Sequence, residues 1–188
     1  MPSWSARDFL HLNRTQLRGF MRAGHPIDPA VLDDFESRGV SLGLPEWAER
    51  VSWKKFKKVF CRDARTGQLR GWNVRLDQNG LDAPWVPITR LGVPVTFGHF
   101  RVEPASNYRL PSPVYQGLVL DYGLGGNRRR DGLGYVRDPV VAVNRGSVDL
   151  LLGWTCLELP LGSVATPSFF TLERDCPITH VHLPPRPH

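Results

Sequence analysis

The stretch "WKKFKKVF" at residues 53–60 decides the fold class, because its four lysines and four apolar residues fit two different elements. On a helical wheel the apolar residues share one broad side, which is typical of a basic amphipathic helix. As a strand, the same stretch has no clean apolar face. One face carries Lys54, Phe56, Lys58 and Phe60, and the other carries Trp53, Lys55, Lys57 and Val59. The residues that follow must therefore distinguish a helix from a strand.

The following stretch, "DARTGQLRGWNVRL" at residues 63–76, favours the strand. It begins as a loop with a turn at Thr66-Gly67, and it continues with Trp72, Val74 and Leu76 at a spacing of two. Two such runs around a glycine turn are typical of a β-hairpin, and a helix at 53–60 would leave the second strand unpaired. We therefore predict that residues 53–60 form the first strand of a sheet.

Further short apolar runs, separated by turn signals such as "QNG" at residues 78–80, extend this pattern to residue 175. Their number and spacing predict a mainly β fold, an antiparallel barrel of about eight strands. The runs are "WVPITRLGVPVTFGHFRVEP", which is broken near Leu91-Gly92, "GLVLDYGL", "DPVVAVN", "DLLLGWTCLEL" and "SFFTLERD".

Segments of a different character lie on either side of the barrel domain, which is assigned to residues 38–175. Residues 1–37 predict one or two helices: the first begins at an N-cap, Ser5, and ends at Gly24, and a short second one begins at Asp28. Residues 176–188 are predicted to be a loose C-terminal tail, since three of the last five are proline.

The composition is that of a soluble globular domain, with 188 residues, 41% hydrophobic and 22% charged. The net charge of +6 permits attraction to polyanions without requiring it. Three widely spaced cysteines, Cys61, Cys156 and Cys176, indicate reduced thiols rather than a disulfide framework. Together with the absence of a long apolar run, they predict a soluble cytoplasmic protein.

The strand pattern resembles that of the small bacterial lipocalin-like (calycin) barrel proteins, including those with a Gly-X-Trp-X-Gly motif. The resemblance rests on "WKKFKKVF", "GWNVRL", "GLVLDYGL", "DLLLGWTCLEL" and "SFFTLERD", and it covers roughly residues 38–175. The motif itself is absent around Trp53. Because such proteins mostly bind small hydrophobic molecules and a minority are isomerases or cyclases, the resemblance implies a ligand cavity.

Polar residues alternate with apolar ones on several predicted strands, and they supply candidates for acid-base chemistry. If the polar faces point inward, His99 or Asp121 could act as a base, with Arg75 or Arg101 stabilising an enolate or carboxylate. The alternative is that these residues form the solvated outer faces of the strands.

The chain also supplies residues that could line a pocket for a flat or acyl-chain ligand. The alternative is that the aromatic residues among them only fill a core without a cavity. The candidates are Phe56, Trp72, Asn73, Phe97, Tyr115, Tyr122, Trp154, Phe169 and Glu173.

The sequence leads to three alternative hypotheses about function. The first is binding of a small hydrophobic or amphipathic molecule in the barrel, and the second is a cofactor-free cyclase or isomerase acting on a polyketide- or lipid-like substrate there. The third is nucleic-acid binding by the lysines of residues 53–60 and by the basic loop at residues 128–130; we consider it the weakest because acidic residues are spread throughout the chain. We expect no metal and no cofactor, since the His180 and His182 pair has no further ligands at suitable spacing.

Overall fold

A computed structural model, which describes residues 3–43, 54–111, 114 and 116–186, contains a closed antiparallel barrel of eight strands. The order around the barrel is β1-β10-β9-β8-β7-β6-β3-β2, and β2 pairs with β1 to complete the circle. The predicted fold class is thereby confirmed. The bounds are β1 Phe35–Leu42, β2 Lys55–Arg62, β3 Leu69–Arg75, β6 Thr96–Pro104, β7 Leu118–Asp121, β8 Val136–Ala142, β9 Leu150–Leu159 and β10 Gly162–Pro177, with a separate hairpin of β4 Thr89–Arg90 and β5 Val93–Pro94.

Residues 55–60 of the quoted stretch belong to a strand, β2, which forms the predicted hairpin with β3. It is the second strand of the barrel rather than the first, because β1 precedes it and pairs with both β2 and β10. The sequence of β1, "FESRGVSL", lacks a clean alternation of apolar and polar residues, and its pairing with β10 joins residues far apart in the chain. Local pattern alone therefore does not identify β1 as the closing strand.

Large apolar side chains fill much of the barrel interior, whereas the sequence had suggested a hollow one. Phe35, Phe60 and Phe100 pack there in tilted or edge-to-face contacts. What remains of the interior space is a cavity towards one end of the barrel. The other buried residues of this core include Leu32, Leu69, Leu118, Leu120, Val140, Ala142, Leu151 and Leu172.

The N-terminal segment contains one α-helix, α1 at Arg14–Ala23, between two short 3-10 helices at Ala6–Phe9 and Pro29–Leu32. The long first helix of the sequence prediction is interrupted because the Asn13 side chain accepts a hydrogen bond from the Gln16 backbone, which starts a new helix there. Gly24 follows α1 with φ −59°, so it is not the left-handed cap that the sequence suggested. No helix of the described residues is long and apolar enough to cross a membrane.

The C-terminal segment, residues 178–186, lies against the outer wall of the barrel instead of forming a loose tail. Arg70 Nη1 donates a hydrogen bond to the His182 carbonyl oxygen (2.8 Å), and the Arg186 amide donates one to the Gly126 carbonyl oxygen (3.0 Å). Trp72, on the outer side of β3, packs beneath this segment and is completely buried. The prolines prevent regular structure but not packing, because an extended chain can still bury side chains and satisfy its polar groups.

Candidate functional site: the barrel cavity

The barrel cavity is a space of about 280 Å³ towards one end of the barrel. All eight barrel strands, or the residues next to them, contribute to its lining. Most of its wall area is apolar, and its polar side chains come from β1, β2, β3, β8, β9, β10 and the residue after β7. The lining residues are Ser41, Phe56, Lys58, Asn73, Phe97, Tyr122, Leu133, Val136, Asp138, Thr155, Ser168 and Phe170.

Lys58 is the most unusual residue of the barrel cavity, because its side chain is buried among aromatic rings. The alternation of β2 turns it inward together with Phe56 and Phe60, and only 1% of the residue is exposed. Its Nζ faces four rings at distances that permit cation–π attraction. The Nζ-to-centroid distances are 5.7 Å for Phe56, 5.0 Å for Phe100, 5.2 Å for Tyr122 and 4.9 Å for Phe170.

Three of these rings lie directly over a glycine of the neighbouring strand. Gly39 pairs with Phe56, Gly71 with Phe100 and Gly153 with Phe170. A Cβ at any of the three glycines would lie within 2.4 Å of a ring carbon of the paired phenylalanine. The absence of these side chains therefore lets the rings lean into the barrel around Lys58.

Lys58, Tyr122 and Asp138 form a hydrogen-bonded group, which we call the lysine triad. The ammonium of Lys58 donates to Tyr122 Oη (2.6 Å), and the Tyr122 hydroxyl donates to Asp138 Oδ2 (2.8 Å). Lys58 Nζ lies 3.6 Å from the same Asp138 oxygen. Asp138 Oδ1 is buried and has no hydrogen-bond partner among the described residues.

Burial shifts the pKa values of all three groups towards their uncharged forms. It lowers the pKa of Lys58 to about 8, although the nearby Asp138 opposes the shift. Burial raises the pKa of Asp138, against the effect of Lys58, and it raises the pKa of Tyr122 well above its usual value. A lysine pKa of about 8 suits a group that exchanges protons near neutral pH.

The other two lysines of β2 have different surroundings, because they point outward. Lys55 Nζ is as buried as Lys58, but it donates to backbone carbonyl oxygens, among them those of Gly80 (2.7 Å) and Pro84 (3.1 Å). Lys57 Nζ donates to Glu36 (2.7 Å); burial would lower the pKa of Lys57, but this carboxylate outweighs it and the pKa is raised. Of these three lysines, Lys58 alone faces the barrel cavity.

The structure gathers four of the residues predicted to bind a ligand into the barrel cavity: Phe56, Asn73, Phe97 and Tyr122. Arg75, predicted to be catalytic, lies at the edge of this group, with its guanidinium 5.7 Å from the Phe97 ring centroid. Asn73 and Arg75 were predicted from the polar alternation of β3, whereas the three aromatic residues were predicted only as rings that could line a pocket.

The other three predicted catalytic residues lie on the outer side of the barrel. Asp121 accepts a hydrogen bond from the Tyr108 hydroxyl (2.6 Å) and pairs with Arg137 (3.1 Å). His99 and Arg101 line an outer groove of about 630 Å³ next to the C-terminal segment. Burial, together with the neighbouring charge of Arg70, lowers the pKa of His99 to about 4. The structure therefore does not bring these three residues together with Arg75.

The remaining predicted ligand-binding residues also lie away from the barrel cavity. Trp154 and Phe169 stack with ring centroids 5.3 Å apart and belong to the core that α1 covers, while Trp72 packs under the C-terminal segment. Glu173 is exposed on β10. Tyr115 lies outside the described residues, as does Trp53.

Lys58 and Asp138 were not among the predicted site residues, although the sequence contained a signal for each. Lys58 falls on the same strand face as Phe56 and Phe60, and Asp138 is two residues before Val140 in an otherwise apolar run. A charged residue at an inward position of a strand is rare unless it is paired. If both residues had been recognised as inward-facing, their opposite charges would have predicted an ion pair. The sequence does not show, however, that β2 and β8 face each other across the barrel.

No group of three or more potential metal ligands occurs in the part of the chain that the structure describes. Comparison with known proteins finds no matching family model, no similar curated protein and no similar solved structure. The barrel architecture is compatible with that of lipocalin-like proteins, and arguments about function depend on the geometry of the barrel cavity itself.

Proposed function

We propose that this protein binds a small amphipathic molecule in the barrel cavity, with an oxygen atom of the ligand facing the lysine triad. The observation that carries the proposal is an ammonium group, Lys58 Nζ, in the wall of an otherwise largely apolar cavity. A volume of about 280 Å³ lies at the lower end of the range of ligand pockets, so the ligand would be small.

The hydrogen-bonding capacity of Lys58 supports an oxygen-bearing ligand. An ammonium group has three N–H donors, and among the described residues Lys58 makes one hydrogen bond, to Tyr122. The aromatic rings around it attract the charge but accept no strong hydrogen bond. A carboxylate, carbonyl or hydroxyl oxygen in the cavity would use a remaining donor, while the chain of the ligand packs on Phe56, Phe97 and Phe170.

Native mass spectrometry of protein purified from its own host tests the proposal directly, because a retained molecule would appear as a defined added mass. Affinity for hexanoate and hexanol, measured by calorimetry, tests the role of Lys58. We expect the Lys58→Met variant to lose about tenfold or more in affinity for hexanoate, since a hydrogen bond to a charged group contributes about 1.5–3 kcal/mol.

The matched control is Lys57→Met, which makes the same substitution on the next residue of β2 but on the outer face. It should leave hexanoate affinity within about twofold of the unmodified protein, an estimate based on the distance of Lys57 from the cavity. Absence of any retained molecule together with no measurable affinity for either probe would overturn the proposal. Equal losses in the two variants would show that Lys58 does not contact the ligand.

An enzyme in the same cavity is the second candidate, namely a cofactor-free cyclase or isomerase acting on a polyketide- or lipid-like ligand. The lowered pKa of Lys58 and the raised pKa of Asp138 favour it, because each shift moves the group towards the pH range in which it can deliver or accept a proton. Deuterium uptake from D₂O by an enolisable ketone is the assay. Loss of uptake in Asp138→Asn would support the cavity as the site, whereas loss only in Asp121→Asn would support the outer face.

The cellular setting belongs to the same proposal. A reducing, cytoplasmic location is consistent with three free cysteines, two of which are buried. A lipocalin-like relationship agrees with the closed antiparallel barrel and remains a proposal. A labelled protein localised by fractionation of its host tests the first point, and an experimental structure with a retained ligand in the barrel tests the second.

A further inference from the structure

We infer that Lys58 forms a covalent imine with an aldehyde or ketone bound in the barrel cavity. This inference rests on the proposed function, because the carbonyl compound must first occupy the cavity, and it names the chemical class of the ligand. Lys58 would then be a nucleophile rather than only a charged contact, and Tyr122 and Asp138 would move protons for it.

The position of Lys58 Nζ supports the inference. The residue lines the barrel cavity, and three of the four rings around its Nζ, those of Phe56, Tyr122 and Phe170, line it too. A carbonyl carbon held by these rings would therefore be within reach of Nζ. Of the described lysines on β2, Lys55 and Lys57 bind their neighbours on the outer side of the barrel.

The surroundings of Lys58 also favour its reactive form. Imine formation needs the neutral amine, and a pKa of about 8 leaves about one molecule in ten neutral at pH 7. A lysine with an ordinary pKa near 10.5 would be neutral in fewer than about one molecule in a thousand. Burial in an apolar pocket is a recognised way to activate a lysine towards carbonyl compounds.

The proposed step conserves atoms and charge. The Lys58 ammonium first gives one proton to Asp138, and the neutral amine nitrogen then adds to the carbonyl carbon. The carbonyl oxygen takes a proton from that nitrogen. A second proton, relayed from Asp138 through the Tyr122 hydroxyl, lets this oxygen leave as water while the C=N bond forms. From the ammonium form, the sum is one carbonyl compound plus Lys58 giving one iminium and one water, with nothing oxidised or reduced.

Reductive trapping tests this step. The full-length protein is incubated with hexanal and sodium cyanoborohydride at pH 7, digested, and analysed by mass spectrometry for lysines that carry one reduced hexyl group. We expect labelling of Lys58 to exceed that of Lys54, Lys55 and Lys57 by about a hundredfold, in line with a neutral fraction of about one in ten against fewer than about one in a thousand for an ordinary lysine. An excess of hexanol should suppress labelling at Lys58 and leave the background on the other lysines unchanged.

The outcomes separate this inference from the proposed function. Labelling spread evenly over the lysines, or absent from Lys58 while hexanol still binds, would overturn the imine and leave the binding function in place. Failure of hexanol both to bind and to protect would overturn both. The variant Lys58→Arg, which keeps the charge but cannot form the imine, should lose the label at this position. If this variant does not fold, the comparison of labelling among the lysines of the unmodified protein still tests the inference.

Discussion

At the scale of single residues, Lys58 carries an electrostatic cost, because its ammonium group is buried in the barrel interior. An ammonium in an apolar environment is unfavourable unless a partner charge and hydrogen bonds compensate for its lost hydration. Asp138 and Tyr122 supply both, so the three side chains depend on one another. The stability of the protein should therefore respond strongly to the removal of one partner and weakly to the removal of both charges.

The substitution Lys58→Met tests this dependence. It leaves the Asp138 carboxylate buried without its cation, and we expect the free energy of unfolding to fall by about 3–5 kcal/mol. The double variant Lys58→Met/Asp138→Asn removes both charges and should recover most of that loss. Urea denaturation gives the free energy of unfolding of the unmodified protein, the single variant and the double variant. A double variant as unstable as the single one would contradict the pairing of Lys58 with Asp138.

The pH dependence of stability provides a second test of Lys58. Its pKa is about 8 in the folded protein and 10.5 when unperturbed, so between these values the unfolded chain binds more protons at this residue. Stability therefore increases with pH in this window, by at most about 3.5 kcal/mol at about 1.4 kcal/mol per pKa unit.

The reference for this measurement is the double variant Lys58→Met/Asp138→Asn. It retains Cys156, whose buried thiol has a pKa raised to about 12 and produces the opposite slope above pH 9. Urea denaturation from pH 7.5 to 10 should show the unmodified protein gaining stability relative to this reference. A constant difference would mean that Lys58 has an ordinary pKa in the folded state.

At the scale of strands, the pairing of glycines with phenylalanines determines how closely the rings approach Lys58. Gly153 on β9 lies opposite Phe170 on β10, and an added Cβ would come within 2.1 Å of the ring. Because backbone atoms hold Gly153 in place, the ring would have to move into the barrel cavity.

We expect Gly153→Ala to reduce the free energy of unfolding by about 1–3 kcal/mol, as overpacking of a core does, and also to weaken hexanoate binding. The matched control is Gly19→Ala in α1, where nothing lies within 4 Å of the added Cβ. That change should stabilise the protein by about 0.5–1 kcal/mol, because alanine favours a helix more than glycine does. Equal effects of the two substitutions would exclude the ring contact as the cause.

The C-terminal segment allows a prediction about a whole element. Removing residues 178–188 would expose Trp72 and delete the hydrogen bond from Arg70 to the His182 carbonyl oxygen. We expect the free energy of unfolding to fall by about 2 kcal/mol or more, since burying a large apolar side chain contributes about 1.5–3 kcal/mol. Tryptophan emission should shift to longer wavelength, while hexanoate binding should persist because none of these residues lines the barrel cavity.

At the scale of the whole molecule, the net charge of +6 does not produce a basic face on β2. Lys55 and Lys58 are buried, and Lys57 is paired with Glu36 and Asp175. A surface for single-stranded nucleic acid combines exposed cations with exposed aromatic rings. The described part of β2 lacks this combination.

We therefore expect weak binding of single-stranded DNA, with a dissociation constant no tighter than about 10⁻⁴ M at physiological salt, the weak limit of non-specific binding. Fluorescence anisotropy with a labelled oligonucleotide measures it over a range of salt concentrations. Tighter binding that decreases steeply with salt would contradict this expectation and would favour the nucleic-acid hypothesis.

The sequence by itself determined the mainly β architecture. Period-two alternation and glycine turns are local properties, and they identified the β2–β3 hairpin and the approximate positions of β6 to β10. Of the residues predicted to line a pocket, Phe56, Asn73, Phe97 and Tyr122 do meet in the barrel cavity. Local pattern separates the two faces of each strand, but it does not show which face points inward.

Only the tertiary structure decided which faces point inward and which residues meet. β1 was not recognised because it becomes a strand through pairing with β2 and β10, and the C-terminal segment is ordered by contacts with the outer wall. Lys58 and Asp138 are 80 positions apart in the chain, and barrel closure brings them to 3.6 Å. Strand order and register produce that proximity, and these depend on the packing of the whole barrel rather than on any local run of residues.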